Sequence, residues 1–251
     1  MASANSETFF MREETAKKIM DSVRSGYDTI AGEFAASRSD LQWLELDDFR
    51  RRVKSGDRIL DLGCGSGRVF KLFAGAAIEY EGLDVSPELV AIARRENQDL
   101  LATFRVGSML ALPYDDASFD VVLMIAALHH VPSRRFRLQA VREAARVLRP
   151  GGLLLLTNWD LWSHPKRWRW LGRNLWRKAT GRSDLDWNDV LVPWVRGVAE
   201  TVWRYYHLFT LAELRRLCRA AGLEVEENVR VGERRRGGAA NLKTVCRKPL
   251  G

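Results

Sequence analysis

Asp61, Gly63, Gly65 and Gly67 alternate with Leu62, Cys64 and Ser66 directly after the apolar run that starts at residue 57. Glycines at this spacing permit a tight turn and let a ligand approach the backbone. Asp84 stands at the end of the second predicted strand, where a carboxylate can accept both hydroxyls of a ribose. The nicotinamide dinucleotide fingerprint is G-x-G-x-x-G, whereas this turn reads G-x-G-x-G and begins with an acid that would repel a pyrophosphate. An acid there suits the ammonium of an amino-acid-like ligand. The competing reading, packing glycines alone, predicts no ligand at the turn. Two further groups could do chemistry. His129 and His130 follow the fourth apolar run, and Arg204-Tyr205-Tyr206-His207-Leu208-Phe209 sets a cation, three aromatic rings and a histidine side by side. Residues of these types are buried singly or are used together to hold something planar and anionic.

The elements that must position these groups alternate. Residues 13–38 predict a helix, with Ile19, Val23, Tyr27, Ile30 and Phe34 at three- to four-residue spacing, and residues 41–53 predict a second. Strands are predicted within 57–67, an apolar run ending in glycines, and at 79–86, 101–109, 119–130 and 153–159, the first feeding a turn and a helix. Ser86 can cap the helix that begins with Pro87, and residues 136–152 read as an amphipathic helix closed by Pro150-Gly151-Gly152. Five strand–helix alternations imply a parallel sheet covered on both faces. After a Trp-rich stretch come a helix over 210–222 and a hairpin of strands 223–231 and 241–248. The fold class is therefore α/β, a doubly wound sheet within a single domain, in which ligands bind at the carboxyl ends of the strands.

Composition bounds the function. The chain has 251 residues, 46% hydrophobic and 29% charged, as a globular domain requires. No stretch reaches the ~20 apolar residues needed to cross a bilayer, and residues 1–14 lack the pattern of a secretory signal. Both point to a cytoplasmic protein without a membrane partner. Cys64, Cys218 and Cys246 are in no metal-ligand spacing, so neither a disulfide framework nor a metal site is expected. A net charge of +8 makes nucleic acid a candidate partner.

The turn at 61–67 resembles the first motif of the class I S-adenosylmethionine (SAM) methyltransferases, and residues 81–90, 112–122 and 147–152 resemble their later segments. That resemblance implies a seven-stranded Rossmann-like sheet and SAM as cofactor. It divides the chain into N-terminal helices (1–55), a SAM-binding core (57–158), a Trp/Arg-rich substrate-side insertion after strand five (159–203) and a C-terminal helix and β-hairpin (204–251). It implies cofactor contacts from Asp61, Gly63, Gly65, Gly67, Asp84 and Val85. Many members have an acid directly after the third strand to hold the adenine amine. Here Gly107-Ser108-Met109 stands there, so Ser108, Met109 or a backbone carbonyl takes that role. Three other segments, 27–43, Asp189-Val190-Leu191-Val192-Pro193-Trp194 and Arg204-Tyr205-Tyr206-His207, resemble the tRNA wobble-uridine carboxymethyl methyltransferases. These esterify 5-carboxymethyluridine and include the methyltransferase domain of the AlkB-homologue fusion. The chain departs from that family near its end, with Ala240-Asn241-Leu242 where the family has Gly-Asn-Trp.

The resemblance implies that Tyr27 and Arg38 close the entry helix over SAM. A carboxylate is already ionised at neutral pH and needs no general base, so the expected work is desolvation and alignment. Arg204 and His207 are expected to hold the carboxylate or an adjacent phosphate, with His129 or His130 facing the transfer site. Trp194 and one of Tyr205 and Tyr206 contact the substrate, a ring stacking on the uracil, while the other tyrosine packs in the core because alternating side chains cannot share one pocket. Arg234, Arg235 and Arg236 in the last hairpin would guide tRNA. The insertion either binds phosphates and bases or caps the sheet with Trp162, Trp168 or Trp170, and Trp176. Members of the family can require a small zinc-binding activator protein. Two other functions stay open: a methyltransferase of a small carboxylic acid or other metabolite, and a non-catalytic RNA-binding or partner subunit.

Overall fold

The computed structural model describes residues 11–37, 44–73, 75–98, 101–195, 200–232 and 240–250. The apolar run before the glycine turn is a strand, β1 (Arg58–Leu62), and β2 (Glu79–Asp84), β3 (Ala102–Val106), β4 (Phe119–Ile125) and β5 (Leu148–Trp159) lie parallel in the same sheet. β6 (Asp189–Trp194) and β7 (Val202–His207) pair only with each other, as an antiparallel ribbon. β8 (Glu224–Val231) and β9 (Asn241–Arg247) complete the large sheet antiparallel to β5, giving the order β3-β2-β1-β4-β5-β9-β8. The order reverses between β1 and β4, which fixes where a crevice must open.

Among the described residues seven α-helices accompany the sheet: α1 (Glu13–Thr29), α2 (Ala31–Ala36), α3 (Leu44–Arg52), α4 (Pro87–Glu96), α5 (Arg134–Val147), α6 (Arg167–Ala179) and α7 (Leu211–Ala220). Ser86 Oγ accepts the Leu89 N–H at 3.1 Å at the start of α4, the cap its position before Pro87 predicts. One apolar core joins α1, α5 and α7 to the sheet through residues such as Val23, Phe136, Val141 and Leu214. The other packs Phe49 of α3 and Val90 of α4 against Ile59 and Tyr80.

Three local differences from the sequence reading shape the site. The single helix expected over 13–38 breaks at Ile30, a fully buried residue that turns α2 so that Phe34 lies over the glycine turn. The glycine turn leads into a 3₁₀ segment, Arg68–Phe73, in place of an α-helix. β4 ends at Ile125, and His129 and His130 stand on a separate 3₁₀ turn, Leu128–His130. The β6–β7 ribbon was not anticipated as a pair of strands, and the division drawn between residues 203 and 204 falls inside β7. Among the described residues no helix is long and apolar enough to cross a membrane.

Gly63 has φ +77°, and a Cβ there would lie 2.5 Å from the Ala127 Cβ. Gly63→Ala is therefore expected to lower stability by about 2–5 kcal/mol, a left-handed penalty plus overpacking. Gly56→Ala, with φ +87° but open space around it, should cost only about 1–2 kcal/mol. Urea denaturation of the two variants checks the difference.

Candidate functional site

A cleft of about 870 Å³ opens at the carboxyl ends of β1 and β2. The glycine turn, Asp84, Val85 and Met109 form one wall, and Tyr27 and Phe34 of α1 and α2 form another. Gly65 has φ +54°, and a Cβ on it would meet only Phe34 Cε1, at 3.8 Å. It therefore faces the cleft. Gly67, φ +75°, is a packing glycine whose Cβ would meet Asn97 Nδ2 at 2.8 Å. Asp84 is held rigidly: its Oδ2 accepts the Gly65 N–H and its Oδ1 the Ser86 N–H, both at 2.9 Å. Burial raises its pKa, against those two backbone donors. Each oxygen keeps a lone pair for a ligand hydroxyl.

Asp61 lies behind the turn, not on the cleft wall. It is fully buried, its Oδ2 accepts the Tyr80 hydroxyl at 2.6 Å, and its Oδ1 has no hydrogen-bond partner. Desolvation pushes its carboxyl up to about 7; Tyr80 opposes that rise and the charge of Asp84 adds to it. An orphaned acid beneath an open glycine cradle, with a fixed carboxylate at its rim, fits a ligand that carries both an ammonium and a ribose. Ser108 does not line the cleft. Its hydroxyl accepts the Leu110 N–H at 3.2 Å, and its neighbours Gly107 and Met109 form the wall instead.

The two histidines have different work. His130 lines the cleft with both ring nitrogens engaged: Nδ1 donates to the Tyr205 carbonyl and Nε2 accepts the Tyr27 hydroxyl, each at 2.8 Å. A carbonyl can only accept, which fixes the proton on Nδ1. His130 thus fastens α1 over the cleft. His129 is fully buried, and desolvation holds its pKa well below the ordinary 6.5, so the ring is neutral. Its Nδ1 accepts the Trp159 N–H at 3.4 Å, leaving Nε2 as a buried N–H without a partner.

Strand alternation divides the Arg204–His207 segment between two faces of the ribbon. Arg204 and Tyr206 face the histidines. Tyr206 lies 5.2 Å from the His129 ring, 4.5 Å from His130 and 5.4 Å from Trp159, stacked on the last. The Arg204 guanidinium sits 4.8 Å from the Trp194 ring centre and 5.3 Å from that of Tyr206. It is only 7% exposed, and its Nε and Nη1 are buried without hydrogen-bond partners. The Asn158 side-chain amide, on β5, is likewise buried without partners. A buried cation, an imidazole N–H and an amide without hydrogen-bond partners each cost free energy until an acceptor joins them.

Tyr205 and His207 face the other way. Tyr205 belongs to the apolar core, as one of the tyrosines must. His207 donates through Nδ1 to Asp189 at 2.7 Å and contacts Glu213 through Nε2 at 2.8 Å. The ring is 1% exposed and fully engaged, so the expectation that it holds substrate is corrected: it is a clamp between the ribbon and α7. Burial works against its charged form, but the two carboxylates outweigh that and raise its pKa. Arg38, Arg234, Arg235 and Arg236 lie outside the described residues. Asn158 and Trp159 were missed in the sequence. Their position at the carboxyl end of the fifth strand was the available signal.

The family described as "Methyltransferase domain" matches residues 60–156. A protein of Encephalitozoon cuniculi described as a methyltransferase is 33% identical over 206 residues, 81% of this chain and 87% of its own length. The tRNA (carboxymethyluridine(34)-5-O)-methyltransferase of Arabidopsis thaliana is 34% identical over 146 residues, 58% of this chain and 34% of its own length. A human relative named "Probable tRNA methyltransferase 9B" is 30% identical over 77% of this chain, which spans only 37% of that relative. A SAM-dependent methyltransferase of Methanosarcina mazei superposes with a TM-score of 0.68 at 26% identity, covering 84% of this chain and all of its own. The methyltransferase in a Haloferax volcanii complex with the Trm112 methyltransferase activator superposes with a TM-score of 0.63 at 23% identity, covering 90% of this chain and 97% of its own, and so shares the fold.

Two pH effects follow. Asp61 keeps its proton to about pH 7 in the folded chain but ionises near pH 4 when unfolded, so its burial makes the empty protein less stable as pH rises through that window. A cationic ligand favours the ionised form. SAM affinity is expected to rise with pH below about 7, by up to about tenfold per unit, with proton release on binding. Calorimetry in buffers of different ionisation enthalpy should detect that release, and Asp61→Asn should abolish it. For His207 the slope has the same sign: its raised pKa gives stability that is full below the ordinary 6.5 and is lost as pH rises through the folded value. Glu213→Gln should lower that pKa, seen in the imidazole NMR titration, and reduce hydrogen-exchange protection of β7 at pH 7.

Proposed function

The chain belongs to the class I SAM-dependent methyltransferases, and on that premise we propose that it methylates tRNA, forming the methyl ester of a carboxymethylated wobble uridine. SAM, when bound, supplies an electrophilic methyl group. The chain's own residues do the rest. Gly65 and Asp84 would hold the donor, and Tyr27, fastened by His130, would close over it. The observation that carries the acceptor assignment is Arg204, a cation 7% exposed with two nitrogens lacking partners. Such a charge costs several kcal/mol unless an anion joins it, and a carboxylate forms parallel bonds to a guanidinium. The His129 Nε2–H and the Asn158 amide, both buried without partners, would donate to the same anion. Tyr206, Trp194 and Trp159 exclude water, which strengthens the electrostatics of alignment. No base is required. The plant relative's carboxymethyluridine specificity supports the choice of acceptor.

A small activator protein fits one further feature. β3 is an edge of the large sheet, with Leu101 89% and Val106 50% exposed at its two ends. A tRNA substrate would make the cytoplasm its place of work.

A second reading, esterification of a small carboxylic acid, is favoured by the burial of Arg204, which suits a compact anion. One experiment separates the two: incubate the protein and labelled SAM with total tRNA from a strain lacking the ester, and with a small-metabolite extract, then digest the tRNA to nucleosides. Label on a uridine derivative supports the tRNA reading, and label confined to a metabolite overturns it. Arg204→Ala should cut kcat/KM by about a hundredfold or more with SAM affinity preserved, and Arg204→Lys should recover part of it. Equal loss of SAM binding and turnover would remove Arg204 from the acceptor site.

A further inference from the structure

The β6–β7 ribbon has a second face, and that face floors a second cleft. About 1190 Å³ lies between α1, α6 and the ribbon, with Lys18, Arg173, Arg177, Trp203 and Tyr205 among its walls. Trp203 and Arg204 are consecutive residues, so they stand ~3.3 Å apart along the strand on opposite faces. The ribbon is thus a partition between this cleft and the proposed anion receptor.

The second cleft is cationic and aromatic. The Arg173 guanidinium lies 4.5 Å from the centre of the Trp203 ring, which is 44% exposed. The pairing recurs around α6: Arg167 is 5.0 Å from Trp168, Arg182 5.4 Å from Trp176, and Lys178 5.5 Å from Trp187. Trp168, Trp176 and Trp187 are each more than half exposed, whereas Trp170 is buried. A helix serving only as a cap would bury its tryptophans. Residues 166–182 contain seven Lys and Arg and no Asp or Glu. Burial, together with Arg177 and Arg169, lowers the Arg173 pKa, the sign of a cation crowded by like charge and short of anions.

We propose that this cleft is a docking groove for single-stranded RNA, with Lys18, Arg173 and Arg177 on phosphates and Trp203 stacked on one unpaired base. The inference rests on the RNA reading of the acceptor and adds the path by which the strand arrives. Single strands are held this way, by a positive groove that tracks the backbone and aromatic rings that accept any base. A helix lying on a lipid surface also carries Trp and Arg, but it presents a flat apolar face. Here Arg173 and Trp203 line a concave cleft between α1, α6 and the ribbon.

Fluorescence anisotropy of a labelled single-stranded RNA of anticodon-loop sequence, titrated over a range of salt, tests the groove. The double variant Arg173→Gln/Arg177→Gln should flatten the slope of log K against log salt by about 1.4 units, two contacts at about 0.7 each. Trp203→Ala should weaken binding about tenfold with less change of slope. SAM affinity and the urea midpoint, measured alongside, should stay at wild-type values for the double variant. If Trp203→Ala fails to fold, the double variant decides. Wild-type slope and affinity in the double variant, with tRNA still methylated by the wild type, would overturn the groove and leave the RNA reading intact. Absence of RNA binding and of labelled uridine in the wild type would overturn both. Loss, in the double variant, of binding to phosphatidylglycerol vesicles, without RNA binding in the wild type, would make the cleft a membrane surface and overturn the groove as well.

Discussion

Arg204 is the constraint on which the rest of the site turns. A guanidinium stays charged at every relevant pH, and this one is almost fully removed from water without a bonded carboxylate. Two rings, Trp194 and Tyr206, recover part of the lost solvation through their faces. The remainder is stored. The surrounding structure must hold Arg204 in place, and it does so with the hydrogen-bonded β6–β7 ladder and the ring stack that joins Tyr206 to Trp159 and His129. A looser strand would let the side chain swing to solvent and abolish the receptor.

The ribbon that carries it is anchored from its other face. His207, Asp189 and Glu213 form a buried charged cluster that ties β7 to β6 and α7, and Arg137 reaches toward the same region, 3.8 Å from Asp186. One strand therefore divides its labour by parity. Even positions 204 and 206 face Trp194, Trp159 and the histidines, the side of the proposed anion receptor; odd positions 203, 205 and 207 meet the second cleft, the core and the clamp. A one-residue slip would exchange these roles completely, which explains why the clamp uses charged, directional bonds where apolar contact alone would tolerate sliding.

The parallel core was legible because β1, β4 and β5 carry apolar runs and its turns carry glycine or a capping serine. Asp84 and Gly65 could be read for the same reason: a ligand site at the switch of strand order follows from topology. The ribbon was not legible. Its buried polar residues, Asp189, Arg204 and His207, mask the alternation that marks a strand, and the partner that occupies His207 Nε2 lies on the next helix. A histidine beside an arginine and two tyrosines looks chemical in sequence, yet the parity of the strand sends His207 to a structural pair and Arg204 to the site. Asp61 was recognised as an acid suited to an ammonium, but only the structure shows that Tyr80 pins it beneath the turn.

The two unsatisfied groups are of opposite sign, and that pairing bears on turnover. Asp61 on one side of the active region is a buried acid with an unpartnered oxygen, and Arg204 on the other is a buried cation with unpartnered nitrogens. In the proposed reaction a sulfonium and a carboxylate enter, while a thioether and an ester leave. The donor product keeps the ammonium that suits Asp61, whereas the ester has lost the charge that would relieve Arg204, so the electrostatic cost returns on the acceptor side alone. A site built this way would bind the carboxylate more tightly than its ester without any moving part, because the buried Arg204 stops rewarding occupancy once the charge it recruits has cancelled.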